Sequence, residues 1–241
     1  MATLVFDIET IGEPWEDLDE TTKKVLTRWI ERSRFSKEEK EQLTHDLQTE
    51  LGFSPLTGFL VAIGVYDLER KQGAVYYSGA QNGADERQGD FVLKQRNERE
   101  MLEDFWEGAR SYDTFVTFNG RSFDVPFLLH RSVAQGVRPS VDLMSGRYLY
   151  QQKGVKHIDL LDQLTFYGAM RRRPSLHLFC RAYGIDSPKS AGVTGDDVSE
   201  LYKTGRFLDL ARYNTRDVVA TTELYLRWRD SLLFKEWEID F

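Results

Sequence analysis

Two acids near the N-terminus, Asp7 and Glu9 in the run Thr3-Leu4-Val5-Phe6-Asp7-Ile8-Glu9-Thr10, are the residues whose types and spacing most directly suggest chemistry. Strand side chains alternate faces, so Leu4, Phe6 and Ile8 would point one way and Val5, Asp7 and Glu9 the other. Two carboxylates side by side repel and resist joint ionisation, a penalty that a bound divalent cation reverses. A metal site is therefore the first hypothesis, against the plainer alternative of a strand that ends acidic because it runs into solvent. Two further segments add to the pair. Phe118-Asn119-Gly120-Arg121-Ser122-Phe123-Asp124 follows an apolar strand and opens a helix, which brings a third carboxylate to a strand-to-helix turn. Tyr213 and Asp217 are four apart in a helical stretch, so both reach toward one point. The set comprises four acids and a phenol.

These residues need elements to position them. The first strand, at about Thr3 to Glu9, is followed by a polar helical insertion from Glu13 to Gly52. Within it Leu18, Val25, Leu26, Trp29 and Ile30 form one apolar stripe and Leu43, Leu47 and Leu51 another, with Gly52 as the stop signal. The insertion reads either as a lid or substrate guide over the site's rim or as a packing element. Strands follow at Phe59 to Asp67 and Ala74 to Ser78 around a turn near Lys71-Gln72-Gly73, then a polar loop from Gln81 to Asn97. A helix from about Glu98 to Ser111 directs Met101, Leu102, Phe105, Trp106 and Ala109 inward. Strand Thr114 to Phe118 and helix Val125 to Gln135, stopped by Gly136, complete the order. The pattern fits an α/β protein with a mixed five-stranded sheet and helices on both faces.

Phe6-Asp7-Ile8-Glu9-Thr10, Phe118-Asn119-Gly120 with Phe123-Asp124, and Tyr213 with Asp217 together resemble the three motifs of the DEDDy group of 3′-5′ exonucleases. The resemblance, within the ribonuclease-H-like superfamily, is to the proofreading exonuclease domain of B-family DNA polymerases, and it spans nearly the whole chain in the family's order. It implies a ribonuclease-H-like fold and a single 3′-5′ exonuclease domain over residues 1–241, with the helical insertion at about 13–52. It also implies two divalent ions, Mg²⁺ or Mn²⁺. Phosphodiester hydrolysis by in-line attack needs an activated water and a stabilised leaving oxygen, and two such ions ~4 Å apart supply both. Hard cations favour oxygen ligands. The family's pattern makes Asp7 the bridging ligand and puts Glu9 and Asp217 nearer the attacking water. Asp124 supports the second ion through water, and Tyr213 orients the nucleophile. Thr10, Ile11, Asn119 and Phe123 match positions that border the terminal nucleotide.

Competing readings accompany several residues. Asp124 before Val125-Pro126 also suits a helix cap, and Asp217 and Tyr213 also suit an ordinary helix surface. Asp159, in His157-Ile158-Asp159-Leu160-Leu161-Asp162, reads as a supporting residue and Asp162 as a helix cap. None of the four histidines, His45, His130, His157 and His177, falls in the last helix, so only the tyrosine form of the third motif is available. Arg171-Arg172-Arg173, with Lys153 and Lys156, is a basic cluster that reads either as a track for a strand's backbone or as a solvated loop.

Composition sets bounds on these readings. The 241 residues, 41% hydrophobic and 13% aromatic, suffice for a substantial core. A lone Cys180 excludes an internal disulfide and a cysteine-cluster zinc site. A net charge of −7 argues against a general duplex-DNA binder with a basic surface. No apolar run approaches membrane-spanning length and the first strand begins almost at Met1, so the expectation is a cytoplasmic protein with no membrane partner. The expected substrate is a nucleic acid with a 3′ end, single-stranded or frayed DNA first and RNA as the alternative, degraded to nucleoside 5′-monophosphates. Any replication, repair or processing partner would be a separate chain. An inactive nucleic-acid-binding module of the same fold is the reading from another class, and the intact acidic set speaks against it.

Overall fold

The computed structural model describes residues 2–79, 85–188 and 197–233. Its strands are β1 (Thr3–Gly12), β2 (Gly58–Asp67), β3 (Gln72–Tyr77), β4 (Glu86–Gln88), β5 (Phe91–Gln95), β6 (Thr114–Thr117) and β7 (Lys156–Asp159). Its α-helices are α1 (Glu20–Glu31), α2 (Lys37–Glu50), α3 (Glu98–Ala109), α4 (Asp124–Gln135), α5 (Leu160–Leu164), α6 (Leu176–Tyr183), α7 (Val198–Lys203) and α8 (Phe207–Ser231). The strands form one mixed sheet in the order β4-β5-β3-β2-β1-β6-β7. β1 lies near its middle, antiparallel to β2 and parallel to β6, and β6 is parallel to β7.

The alternation read in β1 determines the layering. Leu4, Phe6 and Ile8 enter a core with Met101, Leu102, Phe105 and Trp106 of α3 and Val125, Phe127 and Leu128 of α4. Val5 and Ile11 enter the opposite core, with Leu210, Ala211, Val218, Leu224 and Trp228 of α8. The helix ends follow local chemistry. Asn97 and Glu100 exchange side-chain-to-backbone hydrogen bonds at the start of α3, both at 2.9 Å, and left-handed Gly136 (φ 66°) closes α4.

The sheet has seven strands where five were expected. The stretch from Gln81 to Asn97 contains β4 and β5, joined through Gly89 (φ 56°), although residues 81–84 of that stretch lie outside the described residues. Phe91 and Leu93 alternate with Val92 and Lys94 over only five residues, too short a run to stand out from its polar flanks. The insertion is helical as read, but its first stripe divides. Leu18 and Ile30 are buried, whereas Val25 and Trp29 are exposed. Gly52 sits within a 3₁₀ turn (Leu51–Phe53) after α2 and does not cap that helix. A Cβ at Gly52 would lie 2.9 Å from the Gly12 nitrogen, so two bare backbones meet where the insertion rejoins the sheet.

Candidate active site

β1 carries Asp7 and Glu9 to the α8 face of the sheet. Their partners on β2 are Gly64 and Ala62, both small, which leaves space above the acids for a helix to approach. The β1–β2 register shifts between Glu9 and Thr10, and Val61 and Ala62 of β2 both face the α8 core as a consequence. From above, α8 brings Asp217 into the space. Ligand oxygens of Asp7, Glu9 and Asp217 all lie within 4.8 Å of one another. Tyr213, one turn earlier on α8, is buried and shares a hydrogen bond with the Asp217 carboxylate. The Arg216 guanidinium lies over its ring at 5.5 Å.

Asp124 arrives from the other layer. It is the first residue of α4, and its Oδ1 accepts the Ile8 N–H at 3.2 Å, between the two β1 acids. It is almost wholly buried, and the cap position belongs to Phe123, so the helix-cap alternative is set aside. Asp124 stands outside the three-carboxylate cluster, but its charge raises the pKa of both Asp7 and Glu9.

Burial is the main force that pushes Asp7 and Glu9 well above the ordinary carboxylate range. The charges of Asp124, Asp217 and Glu9 add to it at Asp7, and that of Asp217 adds to it at Glu9. Asp124 is raised to about 7, again chiefly by burial. Burial and then Asp217 push the Tyr213 phenol upward, so it stays protonated and available as a donor. The donor set is all oxygen, crowded and electrostatically strained without a counter-charge. It therefore fits hard divalent cations.

Asn214, next to Tyr213 on α8, was given no role from the sequence. Its side chain is fully buried, Nδ2 donates to Asp7 Oδ2 at 2.8 Å, and the amide also lowers the pKa of Glu9. Its Oδ1 is buried without a hydrogen-bond partner among the described residues and lies over Gly64, where a Cβ would come within 2.1 Å of it. Asn214 is thus a neutral donor wedged between the acids and the sheet. The only local signal was an amide beside Tyr213, and its partners are some 150 and 207 residues away.

Asp159, read as a supporting residue, clamps the turn after β6. Its carboxylate accepts the N–H groups of Asn119 and Arg121 at 2.9 Å each and caps α5 by accepting from Leu161 at 2.9 Å. The cap expected of Asp162 therefore belongs to Asp159, and Asp162 pairs with Arg147 at 2.8 Å. The clamped turn holds Asn119 in a left-handed conformation (φ 67°).

The four residues assigned to the terminal nucleotide have different surroundings. Thr10 Oγ1 donates to the Gly52 carbonyl at 2.7 Å and Ile11 is buried in the α8 core, so both are engaged in packing the insertion and the sheet. Asn119 and Phe123 lie on the turn that enters Asp124. Phe123 is half-buried, edge-on at 6.4 Å to the exposed Phe53, which directly follows the insertion and brings its C-terminal end to the rim. Of the basic cluster, Lys156 donates to the carbonyls of Leu149 and Gln152, while Lys153 and Arg171 to Arg173 are exposed.

Residues 81–232 match a family described as "Predicted 3'-5' exonuclease related to the exonuclease domain of PolB". The chain belongs to this family. The matched span includes Asp124, Tyr213 and Asp217, whereas Asp7 and Glu9 precede it. A DNA polymerase 1 from Sulfurisphaera ohwakuensis is 22% identical over 237 residues, covering 90% of this chain and 26% of the polymerase. A DNA polymerase from Pyrococcus glycovorans is 28% identical over 149 residues, covering 56% of this chain and 18% of the polymerase. The family B DNA polymerase structure from Pyrobaculum calidifontis aligns with a TM-score of 0.53 at 18% identity, covering 96% of this chain and 24% of that one. The chain spans about a quarter or less of each of these polymerases. The fold of this PolB-exonuclease-like protein is ribonuclease-H-like, the class expected from its motifs. Among the described residues no helix is long and apolar enough to cross a membrane.

Proposed function

We propose that this PolB-exonuclease-like chain is a metal-dependent 3′-5′ exonuclease that acts, as one domain over residues 1–241, on single-stranded or frayed DNA ends and releases nucleoside 5′-monophosphates. The observation that carries this reading is the convergence of Asp7, Glu9 and Asp217, far apart in sequence, within 4.8 Å on the α8 face of the sheet. The choice of DNA is supported by the relatives being DNA polymerases.

Asp7, Glu9 and Asp217 would hold the divalent ions, with Asp124 adding support from the opposite layer. When bound, the ions supply nucleophile activation and charge stabilisation at the leaving oxygen. The chain's own groups do the rest. Tyr213 keeps its proton and places its hydroxyl beside Asp217, where it orients a water for in-line attack. Asn214 fixes the Asp7 carboxylate. Asp159 fixes the Asn119 turn, and Phe123 with Phe53 forms an aromatic edge against which a terminal base packs.

The test incubates 5′-labelled DNA and RNA oligonucleotides, single-stranded and duplex, with Mg²⁺ or Mn²⁺. Stepwise shortening from the 3′ end, faster on DNA and abolished by EDTA, Asp7→Ala or Asp217→Ala, is the expected result. Binding without shortening in the wild type would overturn the enzymatic reading.

A further inference from the structure

Linked to the turn that enters Asp124 lies a surface that the proposed chemistry does not use. It is built from segments 144–153 and 166–173, joined where the Tyr148 and Tyr167 rings meet at 4.6 Å, with Arg147 of the first paired to Asp162 of α5. The surface carries aromatic rings in water. Tyr150 is 70% exposed and Phe166 56%, and Tyr148 stacks on Tyr150 with centroids 5.7 Å apart and planes 16° from parallel.

Phe166 (φ 51°) and Tyr167 (φ 57°) are consecutive left-handed residues, a conformation disfavoured for bulky side chains. Hydrogen bonds hold them there. Tyr167 N–H donates to the Asp162 carbonyl at 2.7 Å and Gln163 Nε2 donates to the Tyr167 hydroxyl at 2.7 Å. Backbone strain of this kind persists only where surrounding contacts enforce it, and here it keeps Phe166 turned outward.

Cations continue this surface to the site. Arg173 Nη2 donates to Asn119 Oδ1 at 2.9 Å, on the turn that leads into Asp124. Exposed Arg171 and Arg172 precede it, and neither forms a salt bridge with another described residue. This concentrates positive charge on an otherwise acidic protein. Rings that offer a face to any base, next to cations that meet phosphates, are the elements of sequence-tolerant single-strand binding. A purely apolar partner would leave the arginines unused.

We infer that segments 144–153 and 166–173 form a track for single-stranded nucleic acid, in which Tyr148, Tyr150 and Phe166 stack bases and Arg171, Arg172 and Arg173 follow the backbone upstream of the 3′ end. This rests on the exonuclease reading for the strand's direction, but the binding it describes is separately measurable. The test uses the full chain with oligo-dT of 2, 4, 8 and 12 nucleotides. In the wild type KM falls with length. Tyr150→Ala combined with Phe166→Ala raises KM for the 12-mer about 10-fold, flattens the length dependence and leaves kcat in place. Arg171→Ala with Arg172→Ala reduces the salt dependence of binding. In parallel, anisotropy of fluorescein-labelled dT12 is followed in Ca²⁺ on an Asp7→Asn background. Binding there that the aromatic variants weaken supports the track even if the wild type with Mg²⁺ or Mn²⁺ hydrolyses no substrate, an outcome that overturns the nuclease reading alone. Hydrolysis whose KM is independent of length, or dT12 binding unchanged in folded aromatic and arginine variants, overturns the track and turns this face over to a protein partner.

Discussion

Asp7 is held where charge is least welcome, half-buried, beside Glu9, and facing Asp217 and Asp124. Asp7→Asn keeps the shape and the Asn214 contact while it removes a charge. The variant should lower kcat by about 10²–10³-fold or more, the scale on which lost transition-state stabilisation is felt. It should also raise the melting temperature of the ion-free protein, by roughly 2–4 °C per kcal/mol of relieved repulsion; thermal melts in EDTA check this. A second expectation concerns pH. Carboxyls pushed upward, Asp124 to about 7, retain protons that a cation must displace, so Mg²⁺ binding strengthens as pH rises from 5 to 8. Calorimetry at pH 7 in two buffers of different ionisation enthalpy should show net proton release. The same shifts make the ion-free protein lose stability as pH climbs from 3.8 through about 7, because the folded state then holds protons that the unfolded chain has released. Buried His157, held down to about 4, has the opposite slope and loses stability as pH falls from 6.5 toward 4. Comparing melts of Asp7→Asn and wild type across pH 4–8 separates the carboxyl contribution, since His157 is common to both.

At the scale of elements, the site depends on how closely α8 lies on β2. Gly64 permits that approach. A methyl there would stand 2.1 Å from Asn214 Oδ1 and 2.8 Å from Val218 Cγ2, so Gly64→Ala should destabilise the fold by about 1–3 kcal/mol. It should also raise the Mg²⁺ concentration needed for half-maximal activity. Adding Asn214→Ala should recover part of the lost stability and none of the metal affinity, a coupling that urea unfolding and Mg²⁺ titration of the two single variants and the double would expose. This pairing also marks the boundary of what the sequence revealed. The face shared by Asp7 and Glu9 was legible because strand alternation is local, and the Tyr213 and Asp217 pair because helical spacing is local. The Gly64 and Asn214 contact depends on a register between β1 and β2 and on the docking of a distant helix, neither of which a local pattern encodes. β4 and β5 escaped for another reason, since strands of three and five residues among polar neighbours carry too few apolar positions to show a period. The insertion's exposed Val25 and Trp29 show the converse, an apolar spacing in the sequence of which only part faces the core, while Leu18 precedes α1.

For the whole molecule, the acidic centre joins both layers. Asp124 reaches the Ile8 amide from the α4 side, while Asn214 and Asp217 reach the same strand from the α8 side. Without an ion the two layers meet at mutually repelling charges, and local openings of α4 and of α8 are expected to be separate events. A cation seated between them changes that connection. Amide hydrogen exchange of α4 and α8 should follow two distinct rates in EDTA and converge on one slower rate in saturating Mg²⁺, with β1 protected alongside them. Loading the centre would thus merge two separately breathing halves into a single cooperative unit, so that a bound cation would serve as the rivet of the fold.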